Sequence, residues 1–74
     1  MAREALTGSR IRERRVMAGM KQADLARLAG ISPSYLNLIE HNRRRIGGKL
    51  LLNIAGALGV EAQALTDGAE AALI

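Results

Sequence analysis

Residues Ile31–Asn42, ISPSYLNLIEHN, decide how this chain is read. Pro33 follows a serine that can cap a helix, at the first-turn position where proline's missing N–H costs nothing. Advancing about 100° per residue from Pro33, Tyr35, Leu36, Ile39 and Glu40 share one side of the helix. Pro33, Ser34, Asn37, Leu38 and His41 occupy the other. The first side can seat on a scaffold, while the second is small and polar at its N-terminal end. A helix that must bring its first turns into a groove needs that division, because bulky side chains there would hold its backbone away.

The rest of the chain divides into further short helices. A first helix is predicted over Ser9–Ala18, with Ile11 and either Val16 or Met17 inward, an arginine-rich outer face, and Gly19 as a left-handed stop. A second spans Gln22–Ala29, with Leu25, Ala26 and Ala29 inward, and ends at Gly30. The short Gly30–Ser32 turn into Pro33–His41 has the form of a helix-turn-helix. Asn42 stands where a left-handed residue is wanted, and Arg43–Gly48 reads as a basic loop. A fourth helix, Lys49–Leu58, carries the stripe Leu51, Ile54, Ala55 and Leu58 with Gly59 as its stop, and Leu52 is the leucine left facing out. Glu61–Leu65 makes one more short turn, packing Val60 and Leu65 on the core. The expected fold is therefore all-α, a compact bundle of four to five helices. Residues 1–7 read as a flexible N-terminus, 8–66 as the domain, and 67–74 as a linker or the start of a C-terminal region absent from the chain.

Composition narrows the class. Seventy-four residues suffice for one small domain. Only 1% are aromatic against 49% hydrophobic, so the core is aliphatic. The chain has no cysteine, hence neither disulfides nor a thiolate metal site. Neither a membrane-spanning apolar run nor a signal peptide is evident, and a cytoplasmic protein is expected. All eleven Lys and Arg lie at or before Lys49, with four acids among them, whereas only acids follow. Basic residues gathered around a capped helix are the electrostatic footprint of a phosphate-backbone partner.

The stretch from Gly8 to Val60 resembles the lambda-repressor/Cro-like (XRE-type) helix-turn-helix domain. The matching marks are Ile11-Arg12, Arg15, Gly19, Gln22-Ala23-Asp24-Leu25-Ala26, Gly30-Ile31-Ser32, Tyr35, Glu40-His41-Asn42 and Leu58-Gly59-Val60. The run SYLNLIEHNRRRIGGKLLL further resembles the N-terminal domain of bacterial regulators of short-chain acyl-CoA metabolism. The resemblance implies sequence-specific binding of double-stranded DNA, as a transcriptional regulator of the repressor kind, by a homodimer on a pseudo-palindrome. An acyl-CoA-type small-molecule effector would act through a region absent from this chain.

Residue by residue, the resemblance gives Gln22 a phosphate contact, with Lys21 beside it. Pro33, Ser34, Asn37 and Leu38 hold the base-reading places. Asn37 favours adenine by geometry, and Leu38 and Pro33 suit a thymine methyl. Tyr35 lies at the groove edge, His41 at the phosphate side, and Arg43, Arg44 and Arg45 in the backbone-gripping loop. Arg15 and Glu40 occupy positions coupled by a structural salt bridge. Two departures stand out. Lys21 replaces the usual Ser or Thr cap, at a cost of about 1 kcal/mol, and Arg14 replaces a frequent leucine, so a less buried flank is expected there.

Other functional classes fare worse. No acid, base and nucleophile can be assembled into a catalytic site, so an enzyme is not expected, and no cofactor is implied. His41 is the single histidine, without Cys or clustered carboxylates, so no metal site is expected. Gly47-Gly48 lacks the Lys-Ser/Thr of a phosphate loop. The arginine-rich first helix lacks the bulky apolar face that membrane adhesion needs. The remaining alternative is a protein-interaction or antitoxin-type helix-turn-helix module.

Overall fold

The computed structural model describes residues 5–71. Five helices follow one another: α1 (Ala5–Met17), α2 (Gln22–Ala29), α3 (Pro33–Glu40), α4 (Gly48–Leu58) and α5 (Ala62–Ala71). The described residues include no strand. Ile11, Leu25, Ala26, Ala29, Leu36, Ile39, Ile54, Ala55 and Leu65 form one enclosed core, to which every helix contributes. Val60 and Leu58 pack on its margin, and Leu52 points outward. Left-handed backbone occurs at Gly19, Gly30, Gly59 and Asn42, each just past a helix, as the stop signals require.

Three features differ from the expectation. First, α1 begins at Ala5 instead of Ser9, so part of the segment expected to be flexible is helical; residues 1–4 lie outside the described residues. The reason is a joint with the end of α3. The Asn42 carboxamide oxygen accepts the Gly8 N–H at 3.1 Å, and its nitrogen donates to the Ser9 hydroxyl at 3.3 Å. Second, Val16 and Met17 are 56% and 71% exposed, so neither is inward. The inward face of α1 is carried by Gly8, Ile11 and Arg15, spaced at three and four residues. Val16 sits well off that line, and Arg14 is half-buried. Third, α5 runs to Ala71, well beyond one short turn and into the expected linker, because it packs against both α1 and α4. Residues 72–74 lie outside the described residues.

The ends of α2 and α3 show what a cap contributes. Lys21 and Ser32 adopt nearly the same extended backbone, φ −78° with ψ 154° and 153°. The Ser32 hydroxyl accepts the Tyr35 N–H at 3.1 Å, whereas Lys21 provides no side-chain cap. Between the two helices, the Ile31 N–H returns to the Ala26 carbonyl at 2.9 Å, closing a tight turn around left-handed Gly30.

The angle of α3 is set by a buried carboxylate. Glu40 accepts from Arg15 Nε at 2.7 Å and Arg15 Nη2 at 3.0 Å, a two-pronged contact between α1 and α3. Its side chain is 1% exposed and that of Arg15 13%. Arg15 Nη1 also donates to the Met20 carbonyl at 3.0 Å, fixing the α1–α2 turn. The hydrogen bonds that Arg15 donates to Glu40, reinforced by the carboxylate's charge, raise the Arg15 pKa above the ordinary arginine value against the opposing pull of burial.

Two substitutions test these joints. Glu40→Ala leaves a largely enclosed guanidinium without its anion and is expected to cost about 3 kcal/mol of folding stability. Urea unfolding followed by circular dichroism measures it, and an unchanged midpoint refutes the role assigned to the pair. At Gly8 the usual gain of ~0.5–1 kcal/mol from replacing a helical glycine by alanine reverses. A Cβ there would overlap the Ile39 carbonyl oxygen and crowd the Asn42 side chain. Gly8→Ala is expected to lose about 1–3 kcal/mol, and a rise in melting temperature would contradict the close approach.

Candidate nucleic-acid interface

The outward side of α3 is assembled from short polar side chains on a rigid backbone. Pro33, Ser34, Asn37 and His41 are exposed, and Leu38 is half-buried. Leu36, Ile39 and Glu40 on the opposite side are buried, and the half-buried Tyr35 packs against the core. The helix is thus anchored along one side and open along the other, with its N-terminal turn free of bulk.

At the far end the backbone turns sharply. His41 N–H and Nδ1 both approach the Asn37 carbonyl, at 3.0 and 2.8 Å. A carbonyl only accepts, so the ring contact is a hydrogen bond in the tautomer that carries its proton on Nδ1. Left-handed Asn42 (φ 62°) reverses the chain, and the Arg43 N–H returns to the Leu38 carbonyl at 2.8 Å. Arg43, Arg44 and Arg45 then follow in an exposed loop, and Lys49 is exposed in the first turn of α4.

The start of α2 is brought to α3 by a contact that spacing alone does not reveal. Gln22 Nε2 donates to Glu40 Oε1 at 3.1 Å. The carboxamide is thereby held by the same carboxylate that Arg15 grips. One of its two N–H groups is used inside the protein, and the other remains available to an outside acceptor. Lys21 is exposed beside it. Gln22 and the α3 residues are therefore fixed on one framework, and the arginine loop joins it through the turn at Asn42 and the Arg43 N–H bond to the Leu38 carbonyl.

Asn42 was legible as a residue tolerant of left-handed backbone and as a mark of the family, but not as a clamp on α1. Its bonds to Gly8 and Ser9 span more than thirty residues, and no local pattern marks them. No group of three or more His, Cys, Asp or Glu among the described residues could hold a metal ion. No described helix is long and apolar enough to cross a membrane.

Comparison with known proteins gives the same picture. A helix-turn-helix family model matches residues 11–65. Over 55 residues the chain is 49% identical to the HTH-type transcriptional regulator RamB of Mycobacterium tuberculosis, an overlap of 74% of this chain and 12% of that protein. Over 66 residues it is 36% identical to the propionyl-CoA carboxylase regulator of Cereibacter sphaeroides, covering 89% of this chain and 14% of that one. The chain thus spans only a small part of the length of these relatives. Among solved structures, the P22 c2 repressor protein in complex with synthetic operator 9T superposes with a TM-score of 0.79 at 32% identity, covering 85% of this chain and 96% of that one. With a family match over most of its length and a repressor-like arrangement of five helices, the chain belongs to the XRE-type helix-turn-helix family of transcriptional regulators.

Proposed function

We propose that this chain binds double-stranded DNA sequence-specifically by laying α3 in the major groove. It acts as a repressor by occupancy, in the cytoplasm, with two copies on a pseudo-palindromic site. The observation that carries the reading is the open side of α3. Its exposed Pro33, Ser34, Asn37 and His41 are held in place by the Ser32 cap and the buried Arg15–Glu40 pair, and followed at once by three exposed arginines.

In this reading the residues divide by role. Ser34 and Asn37 hydrogen-bond base edges, and Pro33 and Leu38 contact a thymine methyl. Gln22, Lys21, Tyr35, His41 and Arg43–Arg45 meet sugar-phosphate. These contacts fix register, and the arginines supply sequence-independent affinity through counterion release. One module covers a half-site of a few base pairs, which is why two copies are invoked. The relative named propionyl-CoA carboxylase regulator supports an acyl-CoA-type effector acting through a region outside this chain.

Selection from a random duplex library at ~0.15 M salt is expected to enrich an inverted repeat with half-sites about one helical turn apart; recovery of no motif overturns sequence-specific binding. Against the selected site, Asn37→Ala should cost about 1–3 kcal/mol and relax preference at one base pair. Arg44→Ala should weaken all duplexes alike and reduce the log–log salt slope by about one. Lys21→Ser separates stability from binding. It should raise stability by about 1 kcal/mol through the restored cap while weakening DNA affinity. Equal or tighter binding would remove Lys21 from the interface.

A further inference from the structure

We propose that the outer face of α4, centred on Leu52, is the surface through which two copies of this chain associate. The proposal deepens the two-copy reading above by naming the surface, and it makes a claim about association that is tested without DNA.

Among the described residues four large apolar side chains are conspicuously exposed: Val16, Met17, Leu28 and Leu52. Three of them sit among charges. Val16 and Met17 share α1 with Arg12, Glu13 and Arg14, and Leu28 shares α2 with the Asp24–Arg27 ion pair at 3.6 Å. Leu52 alone lies on a helix that carries no charged residue between Lys49 and Glu61. A solvent-facing helix side normally gathers charged and polar residues, yet here Leu52 (64% exposed) is flanked by Gly48, Asn53 and Gly56, all exposed. Around Gly48, Gly56 and the capping Gly59 a Cβ would meet nothing within 4 Å. The face is one projecting leucine on an otherwise flat strip.

Charge selects a second copy as the occupant. A face that meets its own copy across a two-fold axis must tolerate itself. Contacts through α1 or through the Arg43–Arg45 loop would bring arginine against arginine. The α4 face brings no like charges together at its centre, and its ends are opposite in sign. Exposed Lys49 lies in the first turn and exposed Glu61 just past the Gly59 cap. Crossed antiparallel, the two helices set Leu52 over Gly56 of the partner subunit and Lys49 beside Glu61 of the partner subunit, with both contacts occurring twice. The glycine, a poor choice for an exposed helix interior on propensity alone, then has a use: it lets the partner's leucine approach.

Sedimentation equilibrium of the chain from ~10 μM to ~1 mM should show a reversible monomer–dimer equilibrium. Leu52→Asp should weaken association at least ~10-fold with an unchanged circular dichroism spectrum. Gly56→Gln should raise the melting temperature by restoring helix propensity and yet weaken association, two effects of opposite sign that a purely structural role does not produce. Lys49→Glu and Glu61→Lys should each weaken association, and the double exchange should restore it. A monomer at every concentration, a Leu52→Asp variant that dimerises like the parent, or failure of the double exchange to rescue overturns the proposal. Binding of Leu52→Asp to a single half-site separates the two readings. If it is retained while the dimer is lost, both stand. If the parent dimerises through α4 but neither protein binds any duplex, the DNA reading falls and the interface remains.

Discussion

One carboxylate organises the first three helices. Glu40, on the buried side of α3, accepts two hydrogen bonds from Arg15 of α1 and one from Gln22 of α2. Removing a charge of this size from water carries a penalty of several kcal/mol, which the attraction of a paired cation offsets only when the geometry is good and the remaining lone pairs are filled. Here the guanidinium meets the carboxylate side-on and the glutamine supplies a third donor. Net stability gained from such a pair is small, since an apolar core of the same shape would hold the helices about as well. Direction is what the pair adds. Leu36 and Ile39 would bury themselves over a range of helix rotations, but a three-donor contact at Glu40 admits only one.

The second fixed point lies two residues on. Asn42 reverses the chain and spends its side chain on the opening of α1, accepting from Gly8 and donating to Ser9. The clamp works only because Gly8 has no Cβ to strike the Ile39 carbonyl. Together with the Ser32 cap at the other end, these contacts hold α3 at both termini while the side facing away from the core makes few demands on its residues. Pro33, Ser34, Asn37 and His41 are exposed and stand outside the core that seats the helix. The start of α2 shows the reverse arrangement: Lys21 occupies the cap position with the same extended backbone as Ser32 but supplies no side-chain cap.

Local pattern made most of this legible. Helical periodicity separated Leu36, Ile39 and Glu40 from Ser34, Asn37 and His41, because three helical turns with one buried side leave a strong signature. Glycines at 19, 30 and 59 marked helix ends because few other residues accept left-handed backbone. Where the reading failed, it failed on α1 and α5. One of Val16 and Met17 looked inward because both are apolar, but the inward position belongs to Arg15, whose burial is intelligible only once Glu40 stands opposite it. The start of α1 looked loose for the same reason: its anchor, Asn42, is distant in sequence. The length of α5 depends on the surfaces of α1 and α4, which no window on the last turn contains. Gln22 could be singled out by family resemblance, whereas its bond to Glu40 is a tertiary fact.

The distribution of charge connects these local facts to the molecule's surfaces. Every Lys and Arg precedes residue 50, and three surround the turn after α3. Concentrating positive charge in α1, α2 and the loop after α3 favours a polyanionic partner but opposes contact between copies through those elements. Association without loss of the basic surface requires a separate face free of like charge. In this chain the change from basic to neutral sequence falls within one helix, at Lys49, so α4 begins beside the arginine loop and continues as an uncharged surface. Pairing through the centre of α4 leaves Arg43–Arg45 exposed on both copies. Placing the same leucine on α1 or α2 would set it among charges whose desolvation would offset its burial.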